Sequence, residues 1–428
     1  MAMRKYLDLY AEDEAVLPGL QGTQYRHVLC IPAFAEPASF LSKCLQHVET
    51  DRLLIILVIN ANESASPENK ALTIKLYEQL ADSNPLKLQL AEHVSLHQYT
   101  QNIDLLLLQR CKPGYTLTKG VGQARKIACD IAVKLIDEGV IESLWIHSTD
   151  ADATVPEDYF DAVMPLNVKN VAAGIYPFQH LPSPNQHLQL AQQLYDCSLN
   201  YYVNGQAWAG SPWAFHTIGS TLVINAEHYA IARGFPQREA GEDFYLLNKL
   251  GKTGEISRLD SKPVALTTRQ SDRVPFGTGP AIKKILGMQD PLRDFLFYHP
   301  ACFQYLKGWY GIARYLWEET QTSLTTNFIA GHTSDVDPEI LMSGMEALGV
   351  NRFLEHAFSH SKSASVFSGH MHHWFDAFLT LKAIHWWRDH HFPSLNLEAA
   401  LQLLPEGFTY LPVLPASASA DCGQEQPA

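Results

Sequence analysis

Residues 144–152, Leu-Trp-Ile-His-Ser-Thr-Asp-Ala-Asp, contain the pattern that decides the fold. The apolar run at 144–146 predicts a buried strand, and Asp150 and Asp152 follow it one residue apart. Carboxylates in this arrangement can leave a sheet together and share one divalent cation, because Mg²⁺ and Mn²⁺ prefer oxygen ligands. Such a cation would hold a diphosphate. Asp-x-Asp also occurs in ordinary solvated turns, so the neighbouring segments must decide between a metal site and a turn.

The segments around this strand predict an α/β domain. From residue 27 to about residue 266, short apolar runs alternate with helical patterns. This alternation is typical of a mixed, mostly parallel sheet with helices on both faces. Further strands are predicted at 28–31, 53–59, 171–175 and 221–224, and helices at 40–48, 119–139, 188–202 and 242–250.

Patterning and composition divide the chain into four parts. Residues 1–26 are predicted to be an N-terminal extension, and residues 27–290 the α/β domain. Long helical patterns rich in aromatic residues and histidines predict a helical region at 291–414. Its histidines are interpreted as structural, since no matching acid or cysteine pattern accompanies them. The tail at 415–428, rich in Ala, Ser, Gln and Pro, is predicted to be disordered because it has too little apolar surface to bury.

The overall charge and the cysteines narrow the class of protein. The 428 residues include 45 acidic and 32 basic side chains, for a net charge of −13. This balance argues against nucleic acid or an anionic membrane as the main partner. The longest clean apolar run, 53–59, is too short to span a bilayer, and no signal or transit peptide is evident. Seven scattered cysteines without Cys-x-x-Cys indicate a reducing compartment, so we expect a cytoplasmic protein without transmembrane segments.

Two predicted strand ends are candidates for nucleotide binding. The first strand runs into Pro32-Ala33-Phe34-Ala35-Glu36, which places an aromatic ring and a carboxylate where ligands bind in open α/β sheets. A base or a ribose could stack there, contacting Pro32, Ala33, Phe34 and Glu36. The second strand ends at Asn60, whose amide could hydrogen-bond the same nucleoside.

Two predicted helix starts carry charged side chains. Lys119-Gly120-Val121-Gly122-Gln123-Ala124-Arg125 combines glycines with two cations and suits an anionic phosphate. Lys119, Gly122 and Arg125 are the candidate contacts, although the two cations could equally be ordinary solvated helix residues. Glu242 and Asp243 open a later helix, and one of them can serve as a general base. The alternative is that they only stabilise the helix N-terminus.

An aromatic segment lies between the Asp-x-Asp triplet and the Glu-Asp pair. Trp208, Trp213 and His216 could form a wall for a sugar acceptor, since aromatic faces often hold sugars. Burial in a core is the alternative and is the commoner fate of tryptophan.

In their order and spacing, these segments resemble the family-2-like glycosyltransferases with the GT-A fold. The resemblance covers residues 27 to 280 and rests on the proline-aromatic-acid strand end, the second strand end, Asp150-Ala151-Asp152 and Glu242-Asp243. It implies a GT-A domain in which the first two strand ends hold the nucleotide.

The resemblance also implies a reaction. Asp150 and Asp152 would bind Mn²⁺ or Mg²⁺ on the diphosphate, and Asp243 would be the base, with Glu242 orienting it or the acceptor. The implied enzyme is an inverting hexosyltransferase that moves a single sugar from a UDP- or GDP-linked donor to a hydroxyl. The acceptor could be a small molecule, a glycan or a lipid-linked compound, and the protein could be an oligomer.

Two positions depart from the family pattern. Asn60 and Asn62 replace the usual aspartate near the base. The processive Gln-x-x-Arg-Trp motif is reduced to Gln270-Ser271-Asp272-Arg273-Val274, so we expect a non-processive enzyme. Arg273 has two interpretations, a clamp on the donor diphosphate or a residue of a surface turn.

Two other functions compete with this one. A nucleotidyltransferase that makes sugar nucleotides would carry a glycine-rich basic loop after the first strand, where this chain has Pro32-Ala33-Phe34-Ala35-Glu36. A non-catalytic nucleotide-sugar-binding module would have no need of Asp243 as a base.

Overall fold

The structure is a computed structural model that describes residues 2–16, 20, 24–268 and 277–410. The predicted clamp residue Arg273 and the predicted disordered tail at 415–428 lie outside the described residues.

The described residues form twelve strands. They are β1 (His27–Ala33), β2 (Leu53–Asn60), β3 (Leu86–Ala91), β4 (Val94–Gln98), β5 (Ile103–Arg110), β6 (Trp145–Ser148), β7 (Ala153–Thr154), β8 (Val171–Ile175), β9 (Phe178–His180), β10 (Leu222–Asn225), β11 (Glu255–Arg258) and β12 (Val264–Leu266).

The same residues form seventeen α-helices and two short 3-10 turns, Asp13–Val16 and Gly219–Thr221. The helices are α1 (Ala2–Leu9), α2 (Phe40–Cys44), α3 (Pro67–Ser83), α4 (Gly120–Asp137), α5 (Gln186–Trp208), α6 (Ala226–Ile231), α7 (Glu242–Leu250), α8 (Thr278–Leu286), α9 (Pro291–Asp294), α10 (Pro300–Ala313), α11 (Tyr315–Glu318), α12 (Thr326–His332), α13 (Pro338–Ala347), α14 (Val350–His360), α15 (Ala364–Trp374), α16 (Ala377–His390) and α17 (Leu397–Gln402).

The chain divides into two compact units, each discontinuous in sequence. The first contains Met1–Pro182 and Thr217–Pro280, and the second contains Ser183–His216 and Ala281–Ala428. The predicted boundary at 290 differs from this division in two respects. The second unit resumes at Ala281 and not at residue 291. Residues 183–216, predicted within the α/β domain, group with the C-terminal helices.

The first unit is built on a nine-stranded sheet with the order β11-β8-β10-β6-β1-β2-β5-β4-β3. Seven of these strands run in one direction, whereas β10 and β4 are antiparallel to their neighbours on both sides. The expected α/β class with a mixed, mostly parallel sheet is thus confirmed. Every residue of β1 and β2 is buried, as expected for central strands covered on both faces.

The register of the central strands determines where the functional side chains lie. Ala33 of β1 is level with Ile59 of β2, and Cys30 of β1 is level with Ser148 of β6. These strands are parallel, so their carboxyl ends meet at one edge of the sheet. The residues that follow β1, β2 and β6 all leave the sheet at this edge.

A buried polar network attaches the N-terminal helix α1 to α4. Lys126 Nζ lies 2.7 Å from Asp130 Oδ2 one turn along α4, and the Asp130 side chain is fully buried. The Tyr6 hydroxyl of α1 donates to Asp130 Oδ1 at 2.5 Å, and Tyr229 of α6 donates to the same oxygen at 2.9 Å. These bonds satisfy the charges of Lys126 and Asp130. The network can therefore hold α1 against α4 and α6, which belong to the first unit.

The second unit is helical, as predicted for the region after residue 290. Its core is aromatic, with Trp309, Trp387, Phe303 and Phe375 all at most 2% exposed. Helix α5 contributes Cys197 and Tyr201 to this core. Within the described parts of the chain, no helix is long and apolar enough to cross a membrane.

Candidate active site around Arg125

Arg125 brings together two motifs that are far apart in the sequence. Its Nη2 lies 2.5 Å from Asp150 Oδ1, and its Nε lies 2.9 Å from Glu242 Oε1. The third guanidinium nitrogen, Nη1, donates to Ser148 Oγ at 3.1 Å. The Arg125 side chain is only 3% exposed. The Asp-x-Asp triplet and the Glu-Asp pair therefore meet at the carboxyl end of β6.

The glycines at the start of α4 allow this helix to pack closely on the loop that precedes α7. A Cβ at Gly122 would lie 2.5 Å from the Arg238 carbonyl oxygen and 2.8 Å from the Arg238 nitrogen. The Gly122 amide donates to the same carbonyl at 3.1 Å. Gly120 has a φ of +62°, which glycine adopts without strain. The Gly122 amide, which was predicted to contact a phosphate, thus donates its hydrogen bond to the Arg238 carbonyl.

Lys119 is exposed at the same helix start. Its Nζ donates to Gln237 Oε1 at 2.5 Å, and Gln237 in turn donates to Glu12 Oε1. The ammonium group therefore lies beside the loop that leads to Glu242, and its predicted contact with a phosphate stays a prediction.

Asp150 and Asp152 follow β6 as predicted. The Asp150 side chain is 34% exposed, although one oxygen bonds Arg125, and Asp152 is partly buried. Both offer carboxylate oxygens, so these residues fit a hard divalent cation. Among the described residues, no group of three or more His, Cys, Asp or Glu side chains is placed to hold a metal. A cation here would take its other ligands from a diphosphate and water.

Glu242 and Asp243 occupy the first turn of α7, which Gly241 enters with a φ of +71°. Glu242 is 5% exposed and is neutralised by Arg125, whereas Asp243 is half-buried and Oδ1 accepts a bond from the Phe244 amide at 2.7 Å. Burial, and then the Glu242 carboxylate, raises the pKa of Asp243 to about 7, against the opposing effects of the Phe244 amide and Arg125. A carboxylate with this pKa can accept a proton near neutral pH.

The predicted nucleotide residues lie at the same edge of the sheet. Pro32 and Ala33 end β1, and Asn60 ends β2. Phe34 is half-buried, and Glu36 is 8% exposed. Ala35 between them has a φ of +51°, and its amide donates to Thr73 Oγ1 at 3.0 Å, which fixes this turn. Because β1 lies between β2 and β6, these residues and Asp150 belong to adjacent strand ends.

The three predicted acceptor residues belong to the second unit. Trp213 is 2% exposed, its Nε1 donates to the Phe375 carbonyl at 2.9 Å, and its ring stacks on His372. Trp208 is half-buried and stacks on Phe408, while His216 Nε2 lies 3.1 Å from Asn200 Oδ1. Trp213 is thus a core residue of its unit, and Trp208 and His216 are the more accessible of the three.

Ser148 and Gly219 are part of the site, but the sequence analysis connected neither of them to Arg125. Ser148 contacts Arg125 directly, and a Cβ at Gly219 would collide with the Arg125 guanidinium. Ser148 could have been found from its spacing, because side chains at i and i+2 on an extended chain point the same way as Asp150. No local pattern marks Gly219, because its importance comes from a residue 94 positions earlier in the chain.

Comparison with models of known protein families gives no match to this chain, and comparison with curated proteins gives none either.

Proposed function

We propose that this protein is a GT-A-type, metal-dependent, inverting glycosyltransferase that transfers one sugar from a nucleoside diphosphate sugar to a hydroxyl acceptor. The proposal rests above all on one observation, the convergence of Asp150 and Glu242 on the Arg125 guanidinium. This contact joins the predicted donor motif to the predicted base motif at the carboxyl edge of a mixed α/β sheet, where open sheets of this kind bind ligands.

The chain's own residues suit a single displacement. Asp243 accepts the proton of the acceptor hydroxyl, and the acceptor oxygen forms a bond to the anomeric carbon. The bond from that carbon to the diphosphate oxygen breaks, and its electron pair leaves with the nucleoside diphosphate. The attack comes from the face opposite the leaving group, so the anomeric configuration inverts. General base catalysis of this kind contributes about 10²- to 10⁴-fold to the rate.

Asp150 and Asp152 would hold the cation, Mn²⁺ or Mg²⁺, which when bound neutralises charge on the departing diphosphate. Pro32, Phe34, Glu36 and Asn60 would contact the nucleoside from the neighbouring strand ends. UDP- and GDP-linked sugars are the candidate donors, and a cytoplasmic location is part of the proposal. The described cysteines suit a reducing compartment, because all six are buried free thiols.

The first test is a search for the donor. Thermal stabilisation of the full chain would be measured with UDP, GDP and their hexose conjugates, each with and without Mn²⁺. We expect one nucleotide to raise Tm only with the metal present, and Asp152→Ala to abolish the shift. The stabilising donor would then be incubated with a panel of hydroxyl acceptors, and free nucleoside diphosphate would be measured.

Asp243→Asn separates the transferase from a non-catalytic binding module. In a transferase, this substitution removes turnover while the donor still raises Tm. If the wild type binds a nucleotide sugar but never releases nucleoside diphosphate with any acceptor, the proposed activity is wrong. Release of pyrophosphate from a nucleoside triphosphate and a sugar phosphate would instead identify a nucleotidyltransferase.

A further inference from the structure

Arg125 is closed off from solvent by its own partners. All three of its guanidinium nitrogens are engaged, Nε by Glu242, Nη1 by Ser148 and Nη2 by Asp150. The side chain is 3% exposed. Because so little of the guanidinium is exposed, a donor phosphate could contact it only after the groups around it had moved.

The backbone at Gly219 closes a further side of the guanidinium. A Cβ placed there would lie 2.9 Å from the Arg125 Cζ atom and 3.3 Å from Nε. A side chain at position 219 would therefore push the guanidinium away from its present partners. Gly219 thus completes the enclosure of the cation.

The charges around Arg125 explain why the site needs a buried cation. Asp150, Glu242 and Asp243 all act electrostatically on its guanidinium. Burying carboxylates together is costly unless a positive charge compensates them. Arginine suits this position because its planar guanidinium carries donors on three separate nitrogens, which here reach two carboxylates and a hydroxyl that lie in different directions.

We propose that Arg125 is a positioning residue, which fixes Asp150 and Glu242 in one arrangement and does not itself bind the donor phosphates. Its effect on catalysis rests on the proposed function, because it acts through the metal-binding triplet and through the residue beside the base. Its role as the shared counter-charge of two carboxylates does not depend on any reaction.

The catalytic test compares donor binding with turnover in Arg125→Lys and Gly219→Ala. The lysine keeps the charge but loses the fork, and the alanine methyl pushes the guanidinium aside without changing any charge. For both variants we expect kcat to fall about 10- to 100-fold, the usual cost of losing a residue that orients a ligand. With Mn²⁺ saturating, the dissociation constant of the donor should rise by a smaller factor than kcat falls, because both variants keep the Asp150 carboxylate. A large loss of donor affinity with kcat preserved would make Arg125 a phosphate ligand and overturn the proposal.

Lys126→Met is the matched control. Lys126 is the next residue on α4, is 6% exposed and is paired with Asp130 away from the acid pair. Its loss should lower Tm without changing kcat per folded molecule. If Lys126→Met lowered kcat per folded molecule as much as Arg125→Lys does, the effect would be general loosening of α4, and the positioning role would fail.

A second test needs no turnover. Urea denaturation would be compared for Arg125→Met, Glu242→Gln and the double variant. Arg125→Met leaves buried carboxylates uncompensated, so adding Glu242→Gln should raise its denaturation midpoint, although Glu242→Gln alone lowers that of the wild type. Additive effects would refute the shared counter-charge. The two substitutions could also prove coupled while the wild-type protein transfers no sugar. That result would refute the proposed function and leave the positioning role intact.

Discussion

The Gly122 amide donates to the Arg238 carbonyl at 3.1 Å, and this bond joins the start of α4 to the loop that leads to Glu242. Arg125 lies one turn further along the same helix. The distance between the start of α4 and the Glu242-Asp243 pair is therefore set by this backbone hydrogen bond as well as by the ion pair of Arg125 with Glu242.

Gly122→Ala should disrupt this junction. The new methyl group would overlap backbone atoms of Arg238 and Pro236, which cannot rotate away. We expect the free energy of unfolding to fall by about 1–3 kcal/mol, the usual range for overpacking, together with a loss of turnover. Urea denaturation measures the first effect. Gly369→Ala is a control, because its Cβ would meet no atom within 4 Å; a similar loss there would show that the helix-packing explanation is wrong.

The rate of sugar transfer should depend on pH through Asp243. Its pKa is raised to about 7, and the base must be deprotonated to act. We expect kcat/KM to rise between pH 6 and pH 8 with a midpoint near 7 and to change little above it, because kcat/KM reports the ionisation of the free enzyme. The measurement is kcat/KM in buffers of constant ionic strength. A rate that is flat across this window would exclude Asp243 as the base.

The same shift makes a prediction about stability. In the unfolded chain Asp243 should titrate near its ordinary pKa of 3.8, whereas in the fold it titrates near 7. The folded state therefore binds more protons between these values, and stability falls as pH rises through this window, by at most about 1.4 kcal/mol per pH unit. Asp243→Asn should remove that slope. Equal pH dependence of the urea midpoint in variant and wild type would contradict the raised pKa.

Removing a carboxylate of the Asp-x-Asp triplet should weaken the binding of the metal ion. For Asp152→Asn we expect the dissociation constant of Mn²⁺, measured by electron paramagnetic resonance with nucleoside diphosphate present, to rise at least about tenfold. Glu157→Gln is the control, because this nearby acid is exposed and forms an ion pair with the exposed Lys262. Equal Mn²⁺ affinity in Asp152→Asn and the wild type would remove Asp152 from the proposed ligands.

Asp130→Asn should lower the stability of the protein strongly, although Asp130 is remote from the Glu242-Asp243 pair. The substitution removes the carboxylate 2.7 Å from the buried Lys126 ammonium and leaves Glu12 at 4.0 Å, so we expect a loss toward the lower end of the range of about 3–5 kcal/mol for breaking a buried pair. Asp137→Asn on the same helix is the control, since its partner Arg4 is 78% exposed and such pairs contribute at most about 1 kcal/mol. Calorimetry measures the free energy of unfolding of both variants. Equal losses of stability in Asp130→Asn and Asp137→Asn would show that burial of the network is unimportant.

Periodicity predicted the central elements well because burial leaves a clear pattern. The predicted strand at 171–175 and the first turn of α7 at Glu242 occur where expected. The hairpin of β3 and β4 was not predicted, although Leu86-Lys87-Leu88-Gln89-Leu90 alternates as a strand does; most of β3 is exposed at the sheet edge, so neither face of this alternation is a core face. The placement of α5 with the C-terminal helices depends on contacts such as Tyr201 with Phe303, between residues about a hundred positions apart, which no local pattern encodes.

The acid pair and Asp-x-Asp triplet could be proposed from local spacing, but their meeting point could not. Arg125 carried two interpretations in sequence, a phosphate contact or a solvated helix residue. The structure instead shows an enclosed arginine, because carboxylates 25 and 117 residues away converge on it. Enclosure of this kind is a property of tertiary packing.

The insertion of residues 183–216 into the second unit has a consequence for biosynthesis. On the ribosome, α5 emerges about a hundred residues before α10 and the other helices that cover Cys197 and Tyr201. During that interval Cys197 and Tyr201 of α5 have no cover in the nascent chain, and β10, the strand between β6 and β8, is made only after α5. The two units therefore cannot be completed in sequence order. A chain cut near residue 290 would retain that helix without ever receiving its cover, which makes such truncations prone to aggregation.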